Sequence, residues 1–334
     1  MGSAIAVFLG TALVTLVCGV RLVALGDVLA DRTGWGEALF GAVLFGAATS
    51  VAGIIMTAVS AADGHPELAY SSAVGGIAAQ TLAIVLADLA YRRANLEHAA
   101  ASAQNLLFGW LLIMLLGVAL MASFSPDVTL LGLHPASLAM ILVYVGGLRL
   151  IHAQPTMWRA VQTDESQPDE PEPHGRLGRR RLSNLWAEFI AIAAITAVAG
   201  WAVAKAAESI MVATGLQSGF VGAVLMGVVN ALPESVTAVA AVRRGAMTLA
   251  IAAIIGGNSL DVLTLAVGDV AFTGGSLYHA AGADQLFLTS ASLLMTTVLL
   301  GGMLVRQQRG WGRLGFEGVL LTLVYVGTVV VLAF

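Results

Sequence analysis

The sequence contains a single cysteine, Cys18, among its 334 residues. One cysteine excludes a disulfide framework or a thiolate metal site within the chain. Charged residues are also scarce, at 11% of the sequence, whereas roughly a quarter of the residues in a soluble domain are charged. Hydrophobic residues make up 58% and the mean hydropathy is +0.88, so the sequence predicts an integral membrane protein in contact with a lipid bilayer.

Ten segments are long and apolar enough to cross a bilayer, which takes about 20 residues for about 30 Å of hydrocarbon. They lie near residues 4–29, 36–61, 67–90, 104–123, 133–151, 184–208, 216–241, 248–270, 285–305 and 314–333. They lack the alternation typical of a membrane barrel, so an all-α membrane protein is predicted. Residues 152–183 are rich in Pro, Asp, Glu and Arg and are predicted to be a disordered linker between residues 1–151 and 184–334.

Basic residues are unevenly distributed among the loops. The loops after spans 1, 3, 7 and 9 and the central linker contain arginine, and the other loops contain neither arginine nor lysine. Because basic loops stay in the cytoplasm, we expect the linker to be cytoplasmic and both termini to be outside. The expected location is the cell (inner) membrane.

The chain resembles itself at an offset of 181 residues. "GAVLFGAATSVAG" from Gly41 aligns with "GAVLMGVVNALPE" from Gly222, and "LVYVG" occurs at 142–146 and again at 323–327. Each half holds five spans, an odd number, so the second half must enter the membrane from the opposite side. The sequence therefore predicts two inverted-topology repeats of five helices, an arrangement typical of secondary transporters.

Two acidic residues lie deep within apolar spans of the second half. Glu234 follows Pro233 in span 7, and Asp261 is at the centre of span 8. Pro233 is expected to break its helix and free backbone carbonyls. At 1.5 Å per residue, Glu234 is about 13 Å from Arg243 and Asp261 about 20 Å beyond Thr248, so the two carboxylates reach comparable depth. A carboxylate there must be neutralised by a cation or a proton.

These residues resemble the calcium/cation antiporter superfamily of sodium/calcium and proton/calcium exchangers. The second signature repeat of that superfamily reads roughly G-x-S-L-P-E-L, a basic turn and G-S-N-x-x-D, and here "NALPESVTAVAAVRRG" leads into "GGNSLDVL". The resemblance implies a ten-helix antiporter in which Glu234 and Asp261 are cation ligands, with Asn258 lining the turn beside them.

The first half departs from that pattern. In the repeat register Gly53 stands at the position of Glu234 and Gln80 at that of Asp261. The first half keeps the hydroxyl pair that the superfamily places before its Pro-Glu. Calcium prefers six to eight oxygen ligands, and a formal charge of at most −2 balances one calcium, two sodium ions or two protons. The predicted cation ligands are Glu234, Asp261, Asn258, Asn230, Thr49, Ser50 and Gln80.

The sequence therefore predicts an antiporter, not an enzyme, that exchanges calcium or another cation against sodium or protons and needs no cofactor. The alternatives are a sodium/proton-type monovalent exchanger and a transport-dead regulatory relative. An intramembrane aspartyl protease is disfavoured because "AVGD" at 266–269 lacks the first glycine of its motif. The arginines at 179–181 adjoin a span, which favours contact with anionic lipid, and no nucleic-acid partner is predicted.

Overall fold

The computed structural model describes residues 1–33, 46–91, 94–130, 132–152, 180–244, 247–308, 310 and 314–334, and the regular structure of these residues is helical. The first half contains α1 (Gly2–Thr33), α2 (Gly46–Ala62), α3 (Pro66–Ala90), α4 (Leu96–Ala100), α5 (Ala103–Ala122) and α6 (Pro135–His152). The second half contains α7 (Leu182–Thr214), α8, α9 (Met247–Val262), α10 (Thr264–Ala271), α11 (Ala283–Val305) and α12 (Phe316–Leu332). Helix α8 comprises Ser218–Phe220, a π-helical segment Val221–Met226 and an α-helix Gly227–Arg244.

Local chemistry explains several helix ends. Gly64, with φ of +82°, turns the chain after α2, and Pro66 begins α3 at the position where its missing N–H costs nothing. The Ser102 side chain accepts a hydrogen bond from the Asn105 N–H and caps α5. Gly215, in the left-handed region, ends α7.

In the described part of the chain, seven helices are long and apolar enough to cross a membrane, and three shorter apolar helices accompany them. The short ones are Ser50–Ala62, Pro135–Ile151 and Phe316–Leu332. The seven long helices lie at seven of the predicted spans, and the three shorter ones lie at the spans predicted at 36–61, 133–151 and 314–333. The start of the span at 36–61 and most of the linker at 152–183 lie outside the described residues. The chain is an integral membrane protein.

Helix α3 lies at the centre of the bundle and packs against α2, α8, α9, α11 and α12. Helices α1 and α7 pack along each other at the periphery and present large apolar side chains outward, including Leu13, Val17, Val198 and Trp201. Apolar surface of this extent is stable in lipid and not in water. Arg21 of α1 is paired across this contact, donating to Glu188 of α7 over 2.5 and 2.8 Å.

One pair of helices begins in the same register in the two halves. Helix α6 begins at Pro135 in the first half, and helix α12 begins at Phe316, 181 residues later, in the second.

Contacts between the halves recur with the halves exchanged. A His98 ring nitrogen lies 2.8 Å from the Arg306 carbonyl, and a His279 ring nitrogen lies 2.6 Å from the Ser125 carbonyl. In the 181-residue register His98 is equivalent to His279 and Arg306 to Ser125, so the two contacts are equivalent. Gly19 facing Pro233 and Gly200 facing Ala52 form another exchanged pair. The described contacts between the halves therefore follow the 181-residue register of the sequence.

Candidate cation-binding site

The site is built around Asp261, near the C-terminal end of α9, whose side chain is buried. The Ser50 hydroxyl of α2 donates a hydrogen bond to Oδ1 of Asp261. Gln80 Nε2 of α3 donates to Oδ2 over 2.7 Å, and Asn230 Nδ2 of α8 donates to the same oxygen over 3.3 Å. Helices from both halves of the chain therefore converge on one carboxylate.

The helix that carries Asp261 is interrupted immediately after it. Helix α9 ends at Val262 and α10 begins at Thr264. The Leu263 N–H donates to the Leu260 carbonyl over 2.9 Å, and the Thr264 hydroxyl donates to the Asp261 carbonyl over 2.7 Å. Because a hydroxyl satisfies this carbonyl, the helix can be interrupted inside an apolar interior without an unpaired backbone acceptor.

Pro233 does not break its helix, and the prediction of a break there is wrong. The α-helix Gly227–Arg244 runs through Pro233. Proline removes one backbone hydrogen bond and adds a ring that needs space. Gly19 of α1 provides that space, because a Cβ at Gly19 would lie 2.6 Å from Cβ and Cγ of Pro233. The irregular part of α8 is the π-helical segment Val221–Met226, a geometry found often at functional sites.

Glu234 follows Pro233 on α8 and is only 2% exposed. It lies four residues after Asn230, and residues four apart share one face of an α-helix. Asn230 reaches Asp261 from that face. The two acids that the sequence singles out are thus both buried, on adjacent packed helices.

Two glycines of the first half hold the Asn230 side chain. A Cβ at Gly53 of α2 would collide with Oδ1 of Asn230 and lie 2.9 Å from its Cγ. A Cβ at Gly76 of α3 would lie 2.6 Å from its Nδ2. Gly53 is the repeat counterpart of Glu234, so the position that lacks a carboxylate in the first half instead makes room for an amide of the second half.

Three buried amide oxygens on the helices around Asp261 have no hydrogen-bond donor among the described residues: Gln80 Oε1, Asn230 Oδ1 and Asn258 Oδ1. All three side chains are buried. A buried carbonyl oxygen without a donor is costly, and a bound cation removes that cost. The Nδ2 of Asn258 donates to the Thr81 hydroxyl over 3.0 Å, and Thr81 is the residue after Gln80.

The structure therefore brings Ser50, Gln80, Asn230 and Asp261 into direct contact. Asn258 contacts Thr81, the residue that follows Gln80. The side chain of Thr49 lies outside the described residues. Sequence reasoning missed Thr81 and Thr264, which hold the amide of Asn258 and the Asp261 carbonyl. The sequence offered one signal for each residue: Thr81 directly follows Gln80, and Thr264 lies three residues after Asp261.

Within the described ranges, no three His, Cys, Asp or Glu side chains converge on a point where they would hold a metal ion. A cation at Asp261 would therefore rely on amide and hydroxyl oxygens beside the carboxylates. Asp269, the acid of the disfavoured protease motif, accepts hydrogen bonds from the His134 N–H, the Ser137 hydroxyl and the Leu277 N–H over 2.8, 2.8 and 3.0 Å. These bonds give Asp269 a structural role.

Comparison with known proteins agrees with this architecture. The family model described as sodium/calcium exchanger protein matches residues 3–151 and 184–334. No curated protein sequence compared with the chain matches it significantly.

Solved exchanger structures share the fold across nearly the whole chain. The structure of the H+/Ca2+ exchanger CAX aligns with a TM-score of 0.70 at 11% identity, covering 99% of this chain and 84% of that one. Native YfkE aligns with a TM-score of 0.63 at 16% identity, covering 99% and 91%. The sodium-calcium exchanger NCX_Mj aligns with a TM-score of 0.59 at 16% identity, covering 98% and 97%.

Proposed function

Because the chain belongs to the sodium/calcium exchanger protein family, we propose that it is a secondary antiporter that exchanges calcium against protons or sodium by alternating access. The observation that carries this proposal is the convergence of Ser50, Gln80 and Asn230 on the buried Asp261 carboxylate. Family membership supports cation antiport, and the ion is inferred from the chemistry of the site.

The proposed ligands are the oxygens of Asp261, Glu234, Ser50, Thr49, Gln80, Asn230 and Asn258. Hard cations prefer such oxygens, and calcium takes six to eight of them. The two carboxylates supply a charge of −2, which one calcium, two protons or two sodium ions neutralise. An empty site with both acids ionised would be strongly unfavourable in a low dielectric. The site must therefore refill with the counter-ions before the repeats move, and this couples the two fluxes.

The repeat geometry supports alternating access. Gln80 and Asp261 are hydrogen-bonded to each other and are separated by the repeat offset of 181, so the pair maps onto itself when the halves are exchanged. A contact of this kind lies on the axis that relates the halves. We propose ten spans in two inverted repeats, with both termini outside the cell membrane and the linker in the cytoplasm. Rocking one repeat against the other would then expose the site to each side in turn.

One observation favours monovalent sodium/proton exchange as a second candidate. The first half contributes no carboxylate to the site, because Gly53 and Gln80 occupy the repeat positions of Glu234 and Asp261. Fewer acidic ligands weaken the binding of a divalent ion more than that of a monovalent one. Calcium remains the first candidate, since the described amide and hydroxyl oxygens around Asp261 can complete its coordination.

The test is ion uptake into proteoliposomes. Wild-type protein should accumulate calcium when sodium or protons are enriched inside, and Glu234→Gln and Asp261→Asn should abolish this uptake. One unit charge at about 4 Å is worth about 4 kcal/mol at an effective dielectric of 20, or about a thousandfold in affinity for each charge of the ion. Glu67→Gln, which changes an exposed carboxylate bonded to Ser218, is the matched control.

Calorimetric titration with calcium, sodium and potassium at several pH values identifies the bound ion independently of transport. Sodium uptake without calcium uptake would select the monovalent candidate. Binding without any uptake would identify a regulatory relative. Full calcium transport by either carboxylate variant would refute the assigned ligands.

A further inference from the structure

A second group of buried acids lies away from the cation site, where α3, α4 and α12 meet. Glu97 of α4 and Glu317 of α12 are 1% and 0% exposed, and their carboxyl groups are within hydrogen-bonding reach of each other. Asn95 Nδ2 donates to Oε1 of Glu317. Asp88 at the end of α3 accepts the Leu96 N–H over 2.7 Å and is buried beside the pair.

The repeat provides an internal comparison for this cluster. Asp88 and Asp269 are equivalent in the repeat register, and each accepts the N–H of the residue eight positions later. At the second location Tyr278 stands where Glu97 stands at the first, and Ala136 stands where Glu317 stands. The Tyr278 hydroxyl is 2.9 Å from the Ser137 hydroxyl. The same local fold therefore forms without either glutamate, so packing alone does not require Glu97 and Glu317.

Two carboxyl groups in contact and out of water hold a proton between them, because two adjacent charges without solvent repel strongly. Burial, followed by the nearby Asp88 and Glu317, raises the pKa of Glu97 well above its usual range. Glu317 is the member of the pair that α12 contributes. It lies in the first turn of α12, where the helix dipole favours an anion, and it accepts the Asn95 amide.

The other ionisable groups around the pair are few in the described residues. Asp88 faces it from α3. His98 of α4 and Arg306 at the end of α11 contact each other, with Arg306 Nη2 3.2 Å from the His98 carbonyl. The adjoining loop positions Arg92, Arg93, Arg309 and Arg313 lie outside the described residues. The Asn95 N–H donates to the Gln308 carbonyl over 3.1 Å, so the cluster joins the loop after α11 to the loop after α3.

We propose that Glu97 and Glu317 form a proton-binding site, separate from the cation site, in which one shared proton fastens the start of α12 to α3 and α4. The observation that carries it is a pair of buried carboxyl groups in contact, at positions that the other repeat fills with Tyr278 and Ala136. Loss of the proton places two or three negative charges in one buried cluster and loosens this contact. No described group of acids here meets the geometry of a metal site, so the ligand is the proton.

The sign of the effect follows from the raised pKa of Glu97. A carboxyl whose pKa is higher in the folded protein contributes stability at pH values below its ordinary pKa of 4.5, and that stability is lost as the pH rises through the folded value. One linked proton changes the opening equilibrium by at most about tenfold per pH unit.

Hydrogen exchange measured by mass spectrometry on the whole protein in lipid nanodiscs tests this proposal without any transport. After correction for the chemical exchange rate, protection of residues 94–101 and 314–318 should fall by up to about tenfold per pH unit between the ordinary pKa of Glu97 and its raised folded pKa, and should level off above the folded value. Glu97→Gln keeps a donor toward Glu317 and cannot ionise, so it should lose the part of the slope that the Glu97 proton contributes. Glu317→Gln should keep part of the slope, because Glu97 can still ionise and burial is the largest cause of its raised pKa, and Glu67→Gln should keep the full wild-type slope.

Two results would overturn the proposal: a wild-type profile without pH dependence in these segments, or a Glu97→Gln variant that retains the full wild-type slope. The wild-type profile needs no substitution, so the test survives poor folding of a variant. The outcome is also independent of the cation site, because it is read from protection at the cluster and not from uptake.

Discussion

Gly53→Ala is the substitution that tests most directly how the two repeats share one cation site. The added Cβ would lie 2.9 Å from Cγ and 3.0 Å from Nδ2 of Asn230, and closer still to its Oδ1. Contacts below about 3.4 Å require movement, and the amide end of Asn230 is the mobile partner, since Gly53 is fixed in a packed helix. The amide must therefore leave its position beside Asp261.

The expected magnitude follows from the bond that is lost. A hydrogen bond to a charged group contributes about 1.5–3 kcal/mol, and this one is long at 3.3 Å, so the lower half of that range applies. Cation affinity should fall by about 10- to 30-fold. The fold itself should be only mildly destabilised, because the preference for alanine over glycine inside a helix, about 0.8–1 kcal/mol, offsets part of the lost hydrogen bond.

A double-mutant cycle isolates this contact. Asn230→Ala should weaken cation binding to a similar extent, and Gly53→Ala combined with Asn230→Ala should be no weaker than Asn230→Ala alone, because the collision no longer exists. Binding is measured by calorimetry, and thermal unfolding is followed in the same samples. Gly117→Ala is the matched control, since a Cβ at Gly117 meets no atom within 4 Å. Additive losses in the double variant, or wild-type affinity in Gly53→Ala, would refute the reasoning.

Two further substitutions test the packing that holds the site. Gly19→Ala places a Cβ 2.6 Å from the rigid Pro233 ring, so it should destabilise the protein by about 1–3 kcal/mol and lower its unfolding temperature. The control Gly117→Ala should leave the unfolding temperature unchanged. Equal unfolding temperatures for the two variants would contradict the packing of Gly19 against Pro233. Thr264→Val removes the hydroxyl that satisfies the Asp261 carbonyl over 2.7 Å, at a cost of about 1–3 kcal/mol, while Thr264→Ser keeps it. Identical stability of the Val and Ser variants would show that the helix interruption does not depend on this bond.

The sequence determined the membrane character, the helical class and the repeat. Apolar segments of about 20 residues have no alternative in lipid to a helix, because backbone groups there must pair within their own segment. The 181-residue register could be read from letters alone, and the exchanged contacts of His98 and His279 follow it. Glu234 and Asp261 stood out because a carboxylate in such a segment has a high energetic cost wherever it points.

The tertiary structure decided which side chains meet. It places the helix interruption at Leu263 and not at Pro233, because the cost of a proline depends on whether a neighbour such as Gly19 makes room for its ring. It seats the Asn230 amide between Gly53 and Gly76 and brings Glu97 to Glu317 across more than half of the chain. Such contacts depend on the rotation and depth of each helix against its neighbours. Those quantities are fixed by packing among residues far apart in sequence, and no local pattern records them.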